Sequence, residues 1–115
     1  MSRILIADDS IFMRSALKEI LVNAGHEVVG EAATGSEAIE LYGKLSPDIV
    51  TMDITMPQLG GIEALKQIRA LNKNAVVIMV TSISKPESAG EALNSGAKSY
   101  ITKPFDKDKV LKAIG

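Results

Sequence analysis

Cysteine and tryptophan are absent from this chain of 115 residues, and aromatic residues make up only 3% of it. Without cysteine there can be no disulfides and no thiolate ligands, which fits a reducing compartment. No apolar run approaches the ~18 residues that a membrane span requires, and the first residues show no signal-peptide pattern. The net charge is −1, so nonspecific binding to nucleic acid is not indicated. We therefore expect a cytoplasmic protein that contacts neither nucleic acid nor membrane directly.

The charges are unevenly distributed between the two halves of the chain, although its length indicates a single domain spanning residues 1–115. Residues 1–57 carry four basic and nine acidic side chains, whereas residues 58–115 carry nine basic and five acidic ones. This distribution favours an acidic pocket in the first half and a basic face in the second.

Short apolar runs alternate five times with segments whose apolar residues recur at helical spacing. The predicted strands are residues 3–7, 27–32, 49–52, 75–80 and 98–102. This alternation predicts a parallel sheet with right-handed crossovers. The second and fifth strands carry polar residues typical of sheet edges, whereas the other three are apolar. We expect an α/β fold: a flavodoxin-like, doubly wound (βα)5 domain whose five strands lie in the order 2-1-3-4-5.

The helix predictions rest on apolar stripes and capping residues. The first helix follows Ser10, is expected to bury a stripe that includes Phe12, and ends at Gly25. The third helix is expected to turn Leu71 inward with the rest of its stripe. The fourth is expected to begin with a capping box at Ser84.

Polar residues of particular types follow four of the predicted strands. Asp8 and Asp9 end the first strand, Asp53 the third, Thr81 the fourth and Lys103 the fifth. Because the carboxyl ends of parallel strands meet at one edge of a sheet, we expect the three carboxylates to share a crevice. Two carboxylates ~5 Å apart repel by about 3 kcal/mol at an effective dielectric constant near 20, and a divalent cation relieves that repulsion.

The predicted crevice has the components of a phosphoryl-transfer site. All-oxygen ligation by Asp8, Asp9 and Asp53 with an open side suits Mg²⁺, which keeps several waters and pairs with substrate phosphate. Asp53 could act as the nucleophile, and Thr81 and Lys103 could contact the phosphoryl oxygens. Each residue type alone is common at a strand end, whereas the required types on four strand ends form a much stronger signal.

The chain resembles the receiver domains of response regulators in two-component signalling, and among them the single-domain chemotaxis type. The resemblance covers essentially the whole chain and lies in motifs that follow its strands. These motifs are Asp8-Asp9, Asp53-Ile54-Thr55-Met56-Pro57, Gly61, Thr81-Ser82, Tyr100 and Lys103-Pro104-Phe105.

The resemblance implies a signalling switch rather than an enzyme, one that catalyses its own phosphorylation and slow dephosphorylation. Asp53 would accept the phosphoryl group from a sensor histidine kinase or a small phosphodonor. Asp9, Asp53 and the Thr55 carbonyl would bind Mg²⁺ directly, and Asp8 would act mainly through water.

The resemblance also implies how phosphorylation would be transmitted. Lys103 would hold one phosphoryl oxygen, and Thr81 would hydrogen-bond another in the active state. Tyr100 would then turn inward and alter the face formed by helix four, strand five and helix five. That face would bind an output target such as the flagellar motor switch, and a phosphatase would reset the protein. Pro104 matches a position with a cis peptide bond, and a monomer is expected.

Three hypotheses for the protein remain open. It is a stand-alone receiver that binds a separate target, or a receiver cut from a longer regulator with a DNA-binding or enzymatic output domain. The third hypothesis is a Mg²⁺-dependent phosphatase with an aspartyl-phosphate intermediate. It is disfavoured because its Asp-x-Asp motif belongs on the first strand, where this chain has adjacent aspartates.

Overall fold

Five strands alternate with five helices in the computed structural model, which describes residues 1–115. The strands are β1 (Arg3–Ala7), β2 (Glu27–Ala32), β3 (Ile49–Met52), β4 (Val77–Thr81) and β5 (Ser99–Thr102). The helices are α1 (Ile11–Asn23), α2 (Gly35–Leu45), α3 (Gly61–Leu71), α4 (Pro86–Asn94) and α5 (Lys107–Ile114). All strand pairs are parallel and the order is β2-β1-β3-β4-β5, which confirms the predicted fold class. No helix combines the length and hydrophobicity needed to cross a bilayer.

Both faces of the sheet are covered, because side chains point to alternate faces along each strand. On one face, Leu5, Val50 and Met79 lie in a buried cluster with residues of α2, α3 and α4. On the other face, Ile6 and Ile78 lie in a cluster with residues of α1 and α5. Full burial of each such side chain contributes about 1.5–3 kcal/mol to the stability of the folded state, so the central strands are held firmly.

Side-chain caps fix the starts of three helices. The Ser10 hydroxyl accepts the N–H of Met13, and the Thr34 hydroxyl accepts the N–H of Glu37 at 3.0 Å. Asp106 caps α5 in the same way. Each such cap typically stabilises a helix by about 0.5–2 kcal/mol. The cap at Ser10 also fixes where α1 begins after the Asp8–Asp9 turn.

Three details of the helix predictions are wrong. Phe12 is 79% exposed and Leu71 is 63% exposed, whereas both were expected to be buried. Each lies in a terminal turn of its helix, where neighbouring elements no longer cover the apolar stripe. Ser84 does not cap α4, because Pro86 opens the helix and makes Lys85 the capping position, which has no side-chain cap bond.

Candidate functional site

Three carboxylates meet at the carboxyl edge of the sheet, where β1 and β3 lie side by side. Asp8 follows β1 and Asp53 follows β3 at matching positions, since the preceding residues of the two strands are paired. Carboxylate oxygens of Asp8, Asp9 and Asp53 all lie within 4.8 Å of one another. Asp8 is 1% exposed and Asp53 is 6% exposed, whereas Asp9 is open to solvent. The predicted meeting of these carboxylates is confirmed.

The ammonium group of Lys103 bridges two of the carboxylates. It donates to Asp8 Oδ2 at 2.7 Å and to Asp53 Oδ2 at 3.1 Å. The Lys103 N–H donates to the carbonyl of Thr81 at 2.8 Å, and the peptide bond to Pro104 is cis, as the resemblance implied. Burial disfavours the charged ammonium, but the bonds to Asp8 and Asp53 outweigh it and raise the pKa of Lys103 above its ordinary value. Lys103 is therefore a cation at neutral pH.

The oxygen ligands that the cluster offers fit a small, hard, divalent cation. Three carboxylates and one ammonium leave two negative charges without a partner in the cluster. Oxygen ligands with an exposed side at Asp9 are what Mg²⁺ prefers. Thr55, the fourth predicted ligand, is exposed, and its N–H lies 3.4 Å from Asp53 Oδ1, so its backbone adjoins the cluster. These four residues could hold the ion.

The loop after β3 brings α3 tightly against the backbone of Asp53. The N–H of Gly61 donates to the carbonyl of Ile54 at 2.8 Å. A Cβ atom at position 61 would lie 1.8 Å from the carbonyl oxygen of Asp53. No side chain fits at that distance, which gives Gly61 a physical role in the motif.

Thr81 and Tyr100 are linked through the backbone of Ile83. The buried Thr81 hydroxyl accepts the N–H of Ile83 at 3.3 Å, and the Tyr100 hydroxyl donates to the Ile83 carbonyl at 2.6 Å. Burial and, secondarily, the negative charge of Asp53 raise the pKa of Tyr100. The negative charge of Asp53 therefore acts on the Tyr100 hydroxyl in β5.

Arg14 contacts the site, and the sequence pattern did not predict this contact. Its Nη1 donates to the backbone carbonyl of Asp8 at 2.6 Å, and its Nε donates to Glu31 Oε1 at 3.0 Å. Helical spacing places Arg14 one turn after Ser10, close to the end of β1. The spacing could not reveal its partners, since one is a main-chain atom and the other lies on β2.

Residues 4–115 match the family of response regulator receiver domains. The chain belongs to this family. The receiver domain is similar to the chemotaxis protein CheY of Thermotoga maritima, with 48% identity over 112 residues that cover 97% of this chain and 93% of that protein. It is 50% identical to CheY of Bacillus subtilis over 112 residues, with the same coverage of both chains.

A solved structure supports the same assignment for the receiver domain. The structure of a CheX-CheY-BeF3-Mg²⁺ complex from Borrelia burgdorferi matches with a TM-score of 0.95 and 40% identity. The match covers 97% of this chain and 85% of that chain. The receiver domain is therefore of the CheY-like type found in chemotaxis and two-component signalling.

Proposed function

We propose that this receiver domain is switched on when Asp53 accepts a phosphoryl group from a sensor histidine kinase in a Mg²⁺-dependent reaction. The observation that carries the proposal is the Lys103 ammonium, 3.1 Å from the Asp53 carboxylate within a cluster of three carboxylates. A fixed cation beside the acceptor and oxygen ligands for a metal are what phosphoryl transfer requires. The similar CheY from Borrelia burgdorferi, in a complex with BeF3 and Mg²⁺, supports this choice of metal.

The proposed transfer moves phosphorus from nitrogen to oxygen. A carboxylate oxygen of Asp53 attacks the phosphorus of a phosphohistidine, an O–P bond forms as the N–P bond breaks, and the leaving imidazole nitrogen takes up a proton from solvent. Asp8, Asp9, Asp53 and Thr55 would hold Mg²⁺, which would supply positive charge to the phosphoryl oxygens. Lys103 supplies a second positive charge next to Asp53. The Thr81 hydroxyl accepts the Ile83 N–H, and its own proton is donated to a phosphoryl oxygen once the side chain turns towards Asp53.

The proposed output surface is formed by α4, β5 and α5. Tyr100 on β5 contacts the carbonyl of Ile83, so a movement of the segment between β4 and α4 changes this face. A shallow pocket of about 500 Å³ lies at β5 and α5, and its lining includes Lys98, Lys109 and Lys112. The positive lining favours an acidic segment of an output target, such as a component of the flagellar motor switch.

Thermal unfolding in Mg²⁺ and beryllofluoride, a mimic of a carboxylate-bound phosphoryl group, tests the proposal. Mg²⁺ at about 100 times its Kd should raise the free energy of unfolding by roughly 2.7 kcal/mol. Beryllofluoride should add a further increase only when Mg²⁺ is present. The Asp53→Asn variant should lose the beryllofluoride-dependent increase, because the acceptor carboxylate is gone.

Asp48→Asn is the matched control, since it makes the same charge change at the opposite end of β3. It should keep both responses. Equal melting temperatures in EDTA and in Mg²⁺ would contradict the metal site. A beryllofluoride response that persists in Asp53→Asn would contradict the assignment of the acceptor.

A further inference from the structure

The guanidinium group of Arg14 joins the Asp8–Asp9 turn to β2, the edge strand of the sheet. Its Nη1 donates to the backbone carbonyl of Asp8 at 2.6 Å. Its Nε donates to Glu31 Oε1 at 3.0 Å, and Glu31 lies on β2. The Arg14 side chain is only 16% exposed, so it is fixed between these partners rather than extended into solvent.

The carbonyl that Arg14 binds belongs to the peptide group between Asp8 and Asp9. The β-ladder of β1 ends at Ala7, and the chain turns away from the sheet at this peptide. The N–H of Asp8 donates to Ala32 at 2.9 Å, and the Asp8 side chain accepts the N–H of Ser10 at 2.9 Å. The Arg14 contact therefore fixes the remaining polar group of Asp8, and with it the direction in which Asp9 leaves the strand.

We infer that Arg14 is a positioning residue for the Asp8–Asp9 metal ligands, and that Glu31 anchors it. The inference rests on the Mg²⁺ site of the proposed function. A planar guanidinium can donate in two directions at once, whereas a lysine ammonium is a point charge that does not reproduce this geometry. Glu31 gives Arg14 a carboxylate partner on β2, which holds the guanidinium in the position from which it donates to Asp8.

Positioning and simple charge predict different effects of replacing Arg14 on Mg²⁺ affinity. A nearby cation repels Mg²⁺, so if charge alone mattered, Arg14→Gln would bind Mg²⁺ more tightly and Arg14→Lys would bind like the parent. If Arg14 positions the ligands, both variants bind Mg²⁺ more weakly. Residues that orient metal ligands typically change metal affinity by about 10–100-fold when mutated.

Calorimetric titration of the intact protein with MgCl₂ tests the inference. We expect Arg14→Lys and Arg14→Gln to weaken Mg²⁺ binding by at least ~10-fold. Lys18→Gln is the matched control, because Lys18 also faces Glu31, at 3.7 Å, but does not bond to Asp8. It should bind Mg²⁺ as tightly as the parent or slightly more tightly. Parent-like affinity in Arg14→Lys would overturn the inference.

A second pair of variants tests the anchor, Glu31, instead of the arginine. Glu31→Gln should weaken Mg²⁺ binding more than Glu27→Gln, which makes the same charge change on β2. Equal affinities in these two variants would overturn the role of Glu31.

A metal-free measurement separates this inference from the proposed function. In EDTA, amide hydrogen exchange at Ser10 should be faster in Arg14→Lys than in the parent, because the Asp8 carboxylate that accepts this N–H is less firmly held. Unchanged exchange would overturn the positioning role. A parent that fails to bind Mg²⁺ would overturn the metal site itself, whereas a parent that binds it and an Arg14→Lys variant that binds equally well would overturn only the role of Arg14.

Discussion

The hydroxyl of Tyr100 donates a 2.6 Å hydrogen bond to the backbone carbonyl of Ile83. The N–H of the same Ile83 donates to the Thr81 hydroxyl at 3.3 Å. The end of β4 and the edge strand β5 are thus connected by one residue of the segment that leads into α4. If the Thr81 hydroxyl turns towards a phosphoryl group on Asp53, it releases Ile83 and changes the support of Tyr100.

We predict that removing the Tyr100 hydroxyl weakens the coupling between phosphorylation and target binding. Allosteric couplings are typically ~1–3 kcal/mol, or about 5–150-fold in affinity, and the parent should gain affinity in that range with Mg²⁺ and beryllofluoride. Tyr100→Phe and Thr81→Val should each show a smaller gain in a calorimetric titration with the output target. Tyr42→Phe should keep the full gain, since its hydroxyl pairs with Asn72 between α2 and α3. Full gains in both test variants would exclude this route.

The phenol of Tyr100 should titrate above its ordinary pKa of about 10. Burial is the larger cause and the Asp53 charge the smaller, so Asp53→Asn should lower the midpoint only part of the way. Absorbance titration of Tyr42→Phe, which leaves Tyr100 as the only tyrosine, measures this directly. Because the folded state holds the proton more tightly, Tyr100 stabilises the fold below its unfolded pKa, and this contribution is lost as pH rises through the folded pKa. A midpoint at or below the ordinary value would contradict the prediction.

Thr51 in the middle of β3 is 1% exposed, and its hydroxyl has no hydrogen-bond partner. A buried polar group without a partner costs about 1–3 kcal/mol, so Thr51→Val should raise the free energy of unfolding by roughly 1–2 kcal/mol. Urea unfolding in EDTA measures the change without a contribution from metal. Thr102→Val, at an exposed position of β5, should change stability much less. A destabilised Thr51→Val would show that this hydroxyl is bonded in solution.

Much of the site could be predicted because its residues follow strands whose order the hydrophobic pattern determines. Asp8 and Asp53 are brought together by the pairing of β1 with β3, which needs no knowledge of side-chain contacts. The ion pairs that Lys103 makes with these carboxylates were not predicted, because a strand-end position does not specify the direction of a long, flexible side chain. Phe12 was misplaced for a related reason: helical spacing gives a residue's face but not whether anything covers it.

Labelling by a small acyl phosphate tests most directly whether Asp53 is the phosphoryl acceptor. In Mg²⁺, peptide mapping by mass spectrometry should place a single hydroxylamine-sensitive label on Asp53, and EDTA should suppress it. Lys103→Ala retains the acceptor and should be labelled more slowly, because the cation 3.1 Å from the carboxylate is gone. Asp53→Asn should remain unlabelled. A label on Asp8 or Asp9 in the parent, or parent-like labelling of Asp53→Asn, would contradict the assignment.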